Sequence, residues 1–441
     1  MSVTADSPGF EGRQAIMAAV DALFDEQLGF LADLVRIPSQ RGQEKDAQRF
    51  MADAYAAMGY DVDTWRIDPE DIRDLPGFSP VSISYDESYN VVATHRPRQH
   101  KGRSLILNGH IDVVPTGPAE RWSRDPYDPQ IMDGWMYGRG AGDMKAGLAA
   151  NLFALKALRR AGFQPAAPVY LQSVVEEECT GNGALACLQR GYRADAVLIP
   201  EPLEPKILRA QAGPIWFKVE VDGNPQHASG AFSFGANAIE KALPLMAALK
   251  EFEAVRNAQK VNSAHFCNHP HPIRFNLGKI QGGEWTSSEP ARCTFEMRVA
   301  VYPGEKLADA CADIERCIED AAMRDPYLKD NPPKVSYHGF LAEGYVLENA
   351  EDVEAVLRRS HEAAWQEPLT EHVTSATTDA RFFGLYAGIP SIVYGPIATR
   401  PHGFDEAVDL ESLRKVTKTY ALFVAGWCGL EPAEAGEAAQ A

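Results

Sequence analysis

Three short apolar runs in this chain each stop abruptly on side chains that bind divalent metals. Ser104–Asn108 runs into Gly109, His110, Ile111 and Asp112. Val169–Val175 runs into Glu176, Glu177 and Glu178, and Ala196–Ile199 runs into Pro200 and Glu201. Between the first two runs, the glycine-rich stretch GRGAGD (138–143) delivers Asp143 at the start of a helical pattern. Apolar runs of strand length alternating with helical patterns imply βαβ units and a parallel sheet. Such sheets gather ligands beyond the carboxyl ends of their strands. If the three strands are neighbours, His110, Asp143, Glu177, Glu178 and Glu201 face one crevice. One imidazole and four carboxylates make a hard divalent-metal site with a base to spare.

The chain has 441 residues, long for one core, so two domains are expected. Its formal charge of -18 argues against nucleic acid and against anionic membrane surfaces as partners. The N-terminal MSVTADSPGFEGRQA lacks the basic start and apolar core of a signal peptide, and no apolar stretch approaches a membrane span. Seven scattered cysteines without a CxxC pair fit reduced thiols and a cytoplasmic location. Cys179, beside the glutamates, reads as a packing residue rather than a ligand.

Two helical patterns fill 14–36 and another fills 44–58; strands follow at 60–67, 90–94 and 104–108. Residues 68–88, rich in Asp, Pro and Ser, read as a surface insertion. The aperiodic 115–137 reads as a pocket wall. Residues 144–160 form a helix with Leu148, Leu152, Leu155 and Leu158 on one face. From 213 to 341 the order becomes βαββαβ, the signature of a ferredoxin-like sandwich, with a helix at 236–255 that tolerates Pro244. The fold class is therefore α/β: a catalytic domain with a mostly parallel central sheet flanked by helices, formed by 1–211 and 343–441. Into it is inserted an α+β lid or dimerisation domain, 212–342. After 350 come a helix, a short strand at 391–394, a loop holding His402, and a final helix capped by Asp409. The tail from Glu431 has little apolar content and reads as disordered.

Taken singly, these signals have plain alternatives. His110-x-Asp112 can be a loop histidine with a capping Asp, and Asp143 a simple N-cap. Three glutamates are ordinarily a solvated charge run, although here they follow Val174 and Val175 without a turn residue and repel one another unless cations intervene. Adjacent glutamates point in different directions, so one can bind metal while another handles a proton. The HPHP stretch around His269 and His271 reads as a rigid turn.

Their joint order is more specific. GHIDVVP (109–115), DGWMYGRGAGDMKAG (133–147), EEECTGNGA (176–184), IPEP (199–202), GNPQHAS (223–229), TTDARFFG (377–384) and PHGFDEAVDL (401–410) resemble a metallopeptidase family. It includes acetylornithine deacetylase, succinyl-diaminopimelate desuccinylase, aminoacylase and glutamate carboxypeptidase. The resemblance implies two Zn2+ per chain, with Co2+ or Mn2+ as substitutes. His110 and Glu201 hold one metal, Glu178 and His402 the other, and Asp143 bridges them. Asp112 orients His110. A cis peptide at Asp143–Met144 is also implied. The family order of acidic residue, base and ligand makes Glu177 the general base; glutamate fills all three places, so the residues alone leave Glu176 open.

By the same resemblance, Glu177 takes a proton from the attacking water and passes it to the leaving nitrogen. His227 supports the oxyanion, often across a dimer interface. Arg381, Arg298 and Asn276 are the candidate partners of a substrate carboxylate. The expected activity is hydrolysis of an N-acyl amino acid or similar small N-acylated amine. A dipeptidase, a deformylase of a heterocyclic amide and a catalytically inactive metal-binding module are the alternatives. The carbamoyl-hydrolysing branch is disfavoured, because it carries His at the place of Glu201 and spaces its first His and bridging Asp more closely. A homodimer through the inserted domain is expected. The pocket-shaping candidates are 68–88, 115–137 and 262–272.

Overall fold

A computed structural model describes residues 11–231 and 235–433. The apolar runs become strands of one six-stranded sheet, ordered Asp61–Arg66, Tyr89–His95, Val169–Val174, Leu105–His110, Ala196–Ile199 and Ser391–Val393. Only Tyr89–His95 opposes the direction of the others. Leu105–His110 is buried at every position, as expected of a strand covered on both faces. The last four strands of that order are parallel neighbours. Their carboxyl ends therefore lie together, and the segments leaving them carry His110, Glu176–Glu178, Glu201 and the loop to His402.

Helices Ala146–Arg160 and Leu410–Cys428 pack on this sheet, and helix Glu11–Arg36 packs on both of them. The two helical patterns expected in 14–36 form one continuous helix. Ala146–Arg160 is buried almost all round rather than on one leucine face, because it is enclosed by the sheet and the other two helices. Small residues permit this: a Cβ on Gly147 would come 2.5 Å from the Pro200 carbonyl oxygen, so that position brings the helix against the segment that carries Glu201. Asp409 caps the final helix, its carboxylate accepting from Ser412 N at 2.6 Å.

The second sheet is antiparallel and ordered Asn276–Gly282, Arg292–Val301, Gly213–Asp222 and Lys334–Leu341, the strand order of a βαββαβ sandwich. One face packs on helices Ala238–Ala258 and Leu307–Ala322 in a separate core. Pro244 inside the first helix costs about 3 kcal/mol in a free helix. Buried Leu245 and Leu249 each return roughly 1.5–3 kcal/mol on the core side.

Two expectations need correction. Residues 68–88 are not a simple surface insertion: Ile72, Ser79, Tyr85 and Ser88 are buried. Ser79 exchanges hydrogen bonds with the Asn182 side chain (3.1 and 3.0 Å), and its hydroxyl accepts from Leu341 N at 3.2 Å. Pro80 O accepts from Gly339 N at 2.9 Å. The segment thus ties the edge of the second sheet to the main one, and its polar residues serve those ties. The start of the tail is also ordered, with Leu430–Pro432 pairing antiparallel to Phe163–Pro165. Residues 434–441 and 1–10 lie outside the described residues.

Candidate active site and metal centre

At the carboxyl ends of the parallel strands the two carboxylate oxygens of Asp143 diverge. Oδ1 lies 3.2 Å from His110 Nε2, and Oδ2 lies 3.4 Å from His402 Nε2. His110 Nε2 is also 3.8 Å from Glu177 Oε2 and 3.8 Å from Glu201 Oε1. His402 Nε2 is 3.0 Å from Glu178 Oε2. His110 with Glu177 and Glu201, and His110 with Asp143 and Glu178, each bring ligand atoms within 4.8 Å of one another. The Asp143–Met144 peptide is cis.

The charges in this cluster do not balance within the protein. Burial pushes the Glu177 and Glu201 carboxyls well above their usual range, against the pull of His110. Burial would raise Asp143 too, but His110 and His402 hold it well below its ordinary value. The Glu178 carboxylate drives the His402 imidazole up to about 11. His110 is raised although burial opposes it, chiefly by Glu201, Asp143 and Glu177. Glu201 Oε1 is buried without a hydrogen-bond partner. A hard divalent cation supplies the missing positive charge and accepts these oxygen and imidazole donors, so the residues present fit such a metal.

The local sequence explains how these side chains are held. Asp112 accepts the backbone N–H groups of Glu177 (3.3 Å) and Glu178 (3.1 Å) through its carboxylate. Its link to His110 is chiefly through the main chain: Nδ1 lies 2.9 Å from the Asp112 carbonyl oxygen and 3.6 Å from the carboxylate. Burial pushes the Asp112 carboxyl up to about 6. Glu176 has φ 70° and is fully buried. It accepts from Arg41 Nη2 (2.8 Å), Tyr85 Oη (2.7 Å) and Thr180 Oγ1 (2.9 Å), so its carboxylate is already satisfied.

Several supporting residues escaped the sequence reading. Glu406 Oε1 accepts from Gly142 N (3.0 Å) and Asp143 N (2.9 Å), and its other oxygen pairs with buried Arg139. Arg139 also donates to Gly403 O at 3.1 Å, linking the Asp143 turn to the His402 loop. Glu406 lies within PHGFDEAVDL and Arg139 within GRGAGD, but nothing in either motif pairs them. Asp379 is buried near Glu177 and Glu201, and burial pushes it up to about 7.

A cavity of about 530 Å³ opens over the cluster, walled by Asp143, Glu177, Glu178, Glu201 and His402 below and by the uncovered face of the second sheet above. Arg298 and Asn276 line it; Arg298 donates to Ser375 O at 2.7 Å. Two other sequence candidates lie elsewhere. Arg381 does not line the cavity: it is buried, donates to Thr180 O at 2.9 Å and stacks on Phe382 at 3.8 Å. His227 does not line it either; it is exposed, 2.8 Å from Ser229 Oγ, in a loop bridged to Ser288. None of the stretches 68–88, 115–137 and 262–272 lines it. The first is a tie between sheets, the second folds partly into the hairpin Gln130–Met132 and Trp135–Tyr137, and the third puts Phe266 into the helical core of the inserted sheet. His271 has a carboxylate partner the sequence did not suggest, Glu253 at 2.6 Å.

No helix among the described residues is long and apolar enough to cross a membrane, and the seven cysteines are free thiols. The profile described as Peptidase family M20/M25/M40 matches residues 106–426. N-formyl-4-amino-5-aminomethyl-2-methylpyrimidine deformylase of Halalkalibacterium halodurans is 30% identical over 95% of this chain and 98% of its own. Succinyl-diaminopimelate desuccinylase of Thioalkalivibrio sulfidiphilus is 27% identical over 90% and 97%. In structure, human carnosine dipeptidase 1 superposes with a TM-score of 0.74 at 17% identity, over 94% of this chain and 98% of that one. The di-peptidase Dug1p of Saccharomyces cerevisiae reaches 0.76 at 13% identity, over the same shares. These two share the fold. The profile, which begins in the His110 strand and ends in the final helix, and the relatives similar end to end give one answer: the chain belongs to peptidase family M20/M25/M40 and is a hydrolase of amide bonds.

Proposed function

We propose that this protein is a dinuclear-metal amidohydrolase that removes a short acyl group from a small N-acylated amine, with a formylated heterocyclic amine as the favoured substrate. The divided Asp143 carboxylate supports the dinuclear reading: one oxygen addresses His110 and the other His402, and one Asp can serve two metals in this way. His110, Glu201 and Asp143 would hold one Zn2+, and His402, Glu178 and Asp143 the second. When bound, such ions polarise an amide carbonyl and acidify water.

The rest falls to the chain's own side chains. Glu177 is 6% exposed at the cavity floor and, among the described residues, has no ion pair with Lys or Arg, which suits it to take a proton from the attacking water and return it to the leaving nitrogen. Asp112 fixes the backbone on which Glu177 and Glu178 stand. The deformylase reading rests on the relative aligned over nearly the full length of both chains. An N-acyl amino acid is the second reading, favoured by Arg298: burial, with Arg274 nearby, lowers it to about 10, and its hydrogen bond is to a carbonyl rather than a carboxylate.

The domain division goes with this proposal: 1–211 with 343–441 as the catalytic unit and 212–342 as the inserted unit, each sheet having its own core. So does a homodimer through the inserted unit. Its edge strand Asn276–Gly282 is exposed throughout, with Leu277, Ile280 and nearby Trp285 on the surface. His227 would then serve the partner's cavity. Free thiols favour a cytoplasmic setting.

The test is elemental analysis of chelator-washed, zinc-reloaded protein, with amine release from N-formyl, N-acetyl, N-succinyl and dipeptide substrates. About two metals per chain and metal-dependent release are expected, fastest from the N-formyl amides. Full turnover after complete metal removal would sink the reading.

A further inference from the structure

The upper wall of the cavity is chemically distinct from its acidic floor. Register across the inserted sheet places Asn276, Arg298 and Trp216 in one row. His338 and Phe340 of the edge strand lie beside Trp216, with ring centroids 6.4 and 5.3 Å away at interplanar angles of 70° and 83°. Gly339 between them has φ +62°, and a Cβ there would meet Trp216 Cε3 at 2.6 Å and Cys179 O and Sγ at 3.2 Å. The missing side chain lets the indole lie against the backbone beside Cys179, the residue after Glu178. The ring is therefore held over the catalytic floor and not merely on the rim.

Glu296 supplies a carboxylate acceptor at this wall. Trp216 Nε1 and His338 Nε2 are buried, with no hydrogen-bond partner among the described residues, so these rings offer the cavity their carbon faces and edges. Glu296 Oε2 is 3.6 Å from His338 Nε2 and 3.0 Å from Lys279 Nζ, whose side chain is exposed. An amino-substituted planar nitrogen heterocycle offers N–H donors to Glu296 and a flat face to the aromatic walls, and an alkyl ring offers neither.

We propose that Trp216 and Phe340 are specificity-determining residues that form a platform for a planar nitrogen heterocycle on the leaving amine, with Glu296 as its polar contact. The inference rests on the reading of this cavity as an amide-hydrolase substrate site.

The test uses full-length, zinc-reloaded protein and two amines of similar size, an (aminomethyl)pyrimidine and cyclohexylmethylamine, with their N-formyl amides. Calorimetry should show the pyrimidine binding about tenfold more tightly. Trp216→Phe should keep most of that preference. Trp216→Ala should lose it by weakening the pyrimidine alone, and in turnover the loss should appear in KM more than in kcat. Phe340→Leu carries the same expectation should Trp216→Ala fail to fold. Equal binding of the two amines, binding of neither, or equal weakening of both by Trp216→Ala overturns the platform. Ring-selective binding with neither N-formyl amide hydrolysed leaves the platform standing and sinks the deformylase reading. Hydrolysis of both amides without ring preference sinks the platform alone.

Discussion

Glu176 and Glu177 are neighbours of the same type in one turn, yet their surroundings set opposite chemistry. The first is consumed by Arg41, Tyr85 and Thr180, while the second stands at the cavity floor beside His110. Glu177→Gln should retain bound metal and lose at least about 10²-fold in turnover, read by elemental analysis beside kinetics. Glu176→Gln should instead lower stability by roughly 2–4 kcal/mol in urea melts, since it leaves a partly buried Arg41 without its countercharge. Glu44 offers a pH test outside the ligand set. Burial first, then Asp112, raises its carboxyl to about 8. A raised acid is carried neutral by the fold, so ionisation destabilises the native state as pH climbs from the unfolded value towards 8. Glu44→Gln should therefore gain on the wild type between pH 5 and 8, by about 1–3 kcal/mol in urea melts. An unchanged difference would mean that Glu44 is ionised in the fold. The sequence displayed these acids but not their states, because a pKa depends on which groups a turn brings near.

At the scale of elements, the site is a junction of loops held by a buried ion pair. Arg139 and Glu406 join the turn before helix Ala146–Arg160 to the loop after strand Ser391–Val393, and Glu406 holds the Asp143 backbone. Glu406→Gln leaves Arg139 buried and unpaired, which should cost about 3–5 kcal/mol. It should also weaken metal affinity by 10–100-fold, roughly the effect of losing an outer-shell partner; competition against a chelator would show it. Strands and helices were largely legible, because period and length are local properties. The role of 68–88 was not: its Ser79 and Pro80 look like turn residues, and only their contacts with Asn182, Gly339 and Leu341 make the segment a tie between sheets.

For the whole molecule, the decisive question is whether one chain makes a complete site. His227 does not line the cavity of its own chain, while the exposed edge strand Asn276–Gly282 offers an unpaired ladder to a second copy. Mixing inactive Glu177→Gln with His227→Ala should restore activity to about a quarter of the wild type, since half of the dimers are mixed and each has one intact site. No recovery between subunits shown to exchange would remove His227 from the partner's chemistry.

The sequence by itself determined the family, the α/β class and the mostly parallel sheet, and it displayed the cluster of acids and histidines, because all of these are written in local runs and short motifs. Tertiary structure alone decided which residues meet. It placed Arg381, a candidate substrate contact, in the interior, donating to the Thr180 carbonyl. It moved the pocket wall from the long loops to the bare face of the inserted sheet. It separated two identical glutamates into an ion-pair partner and a candidate base. The physical reason is that strand and helix patterns follow from neighbours in the chain, whereas desolvation, charge pairing and cavity shape arise from residues tens to hundreds of positions apart.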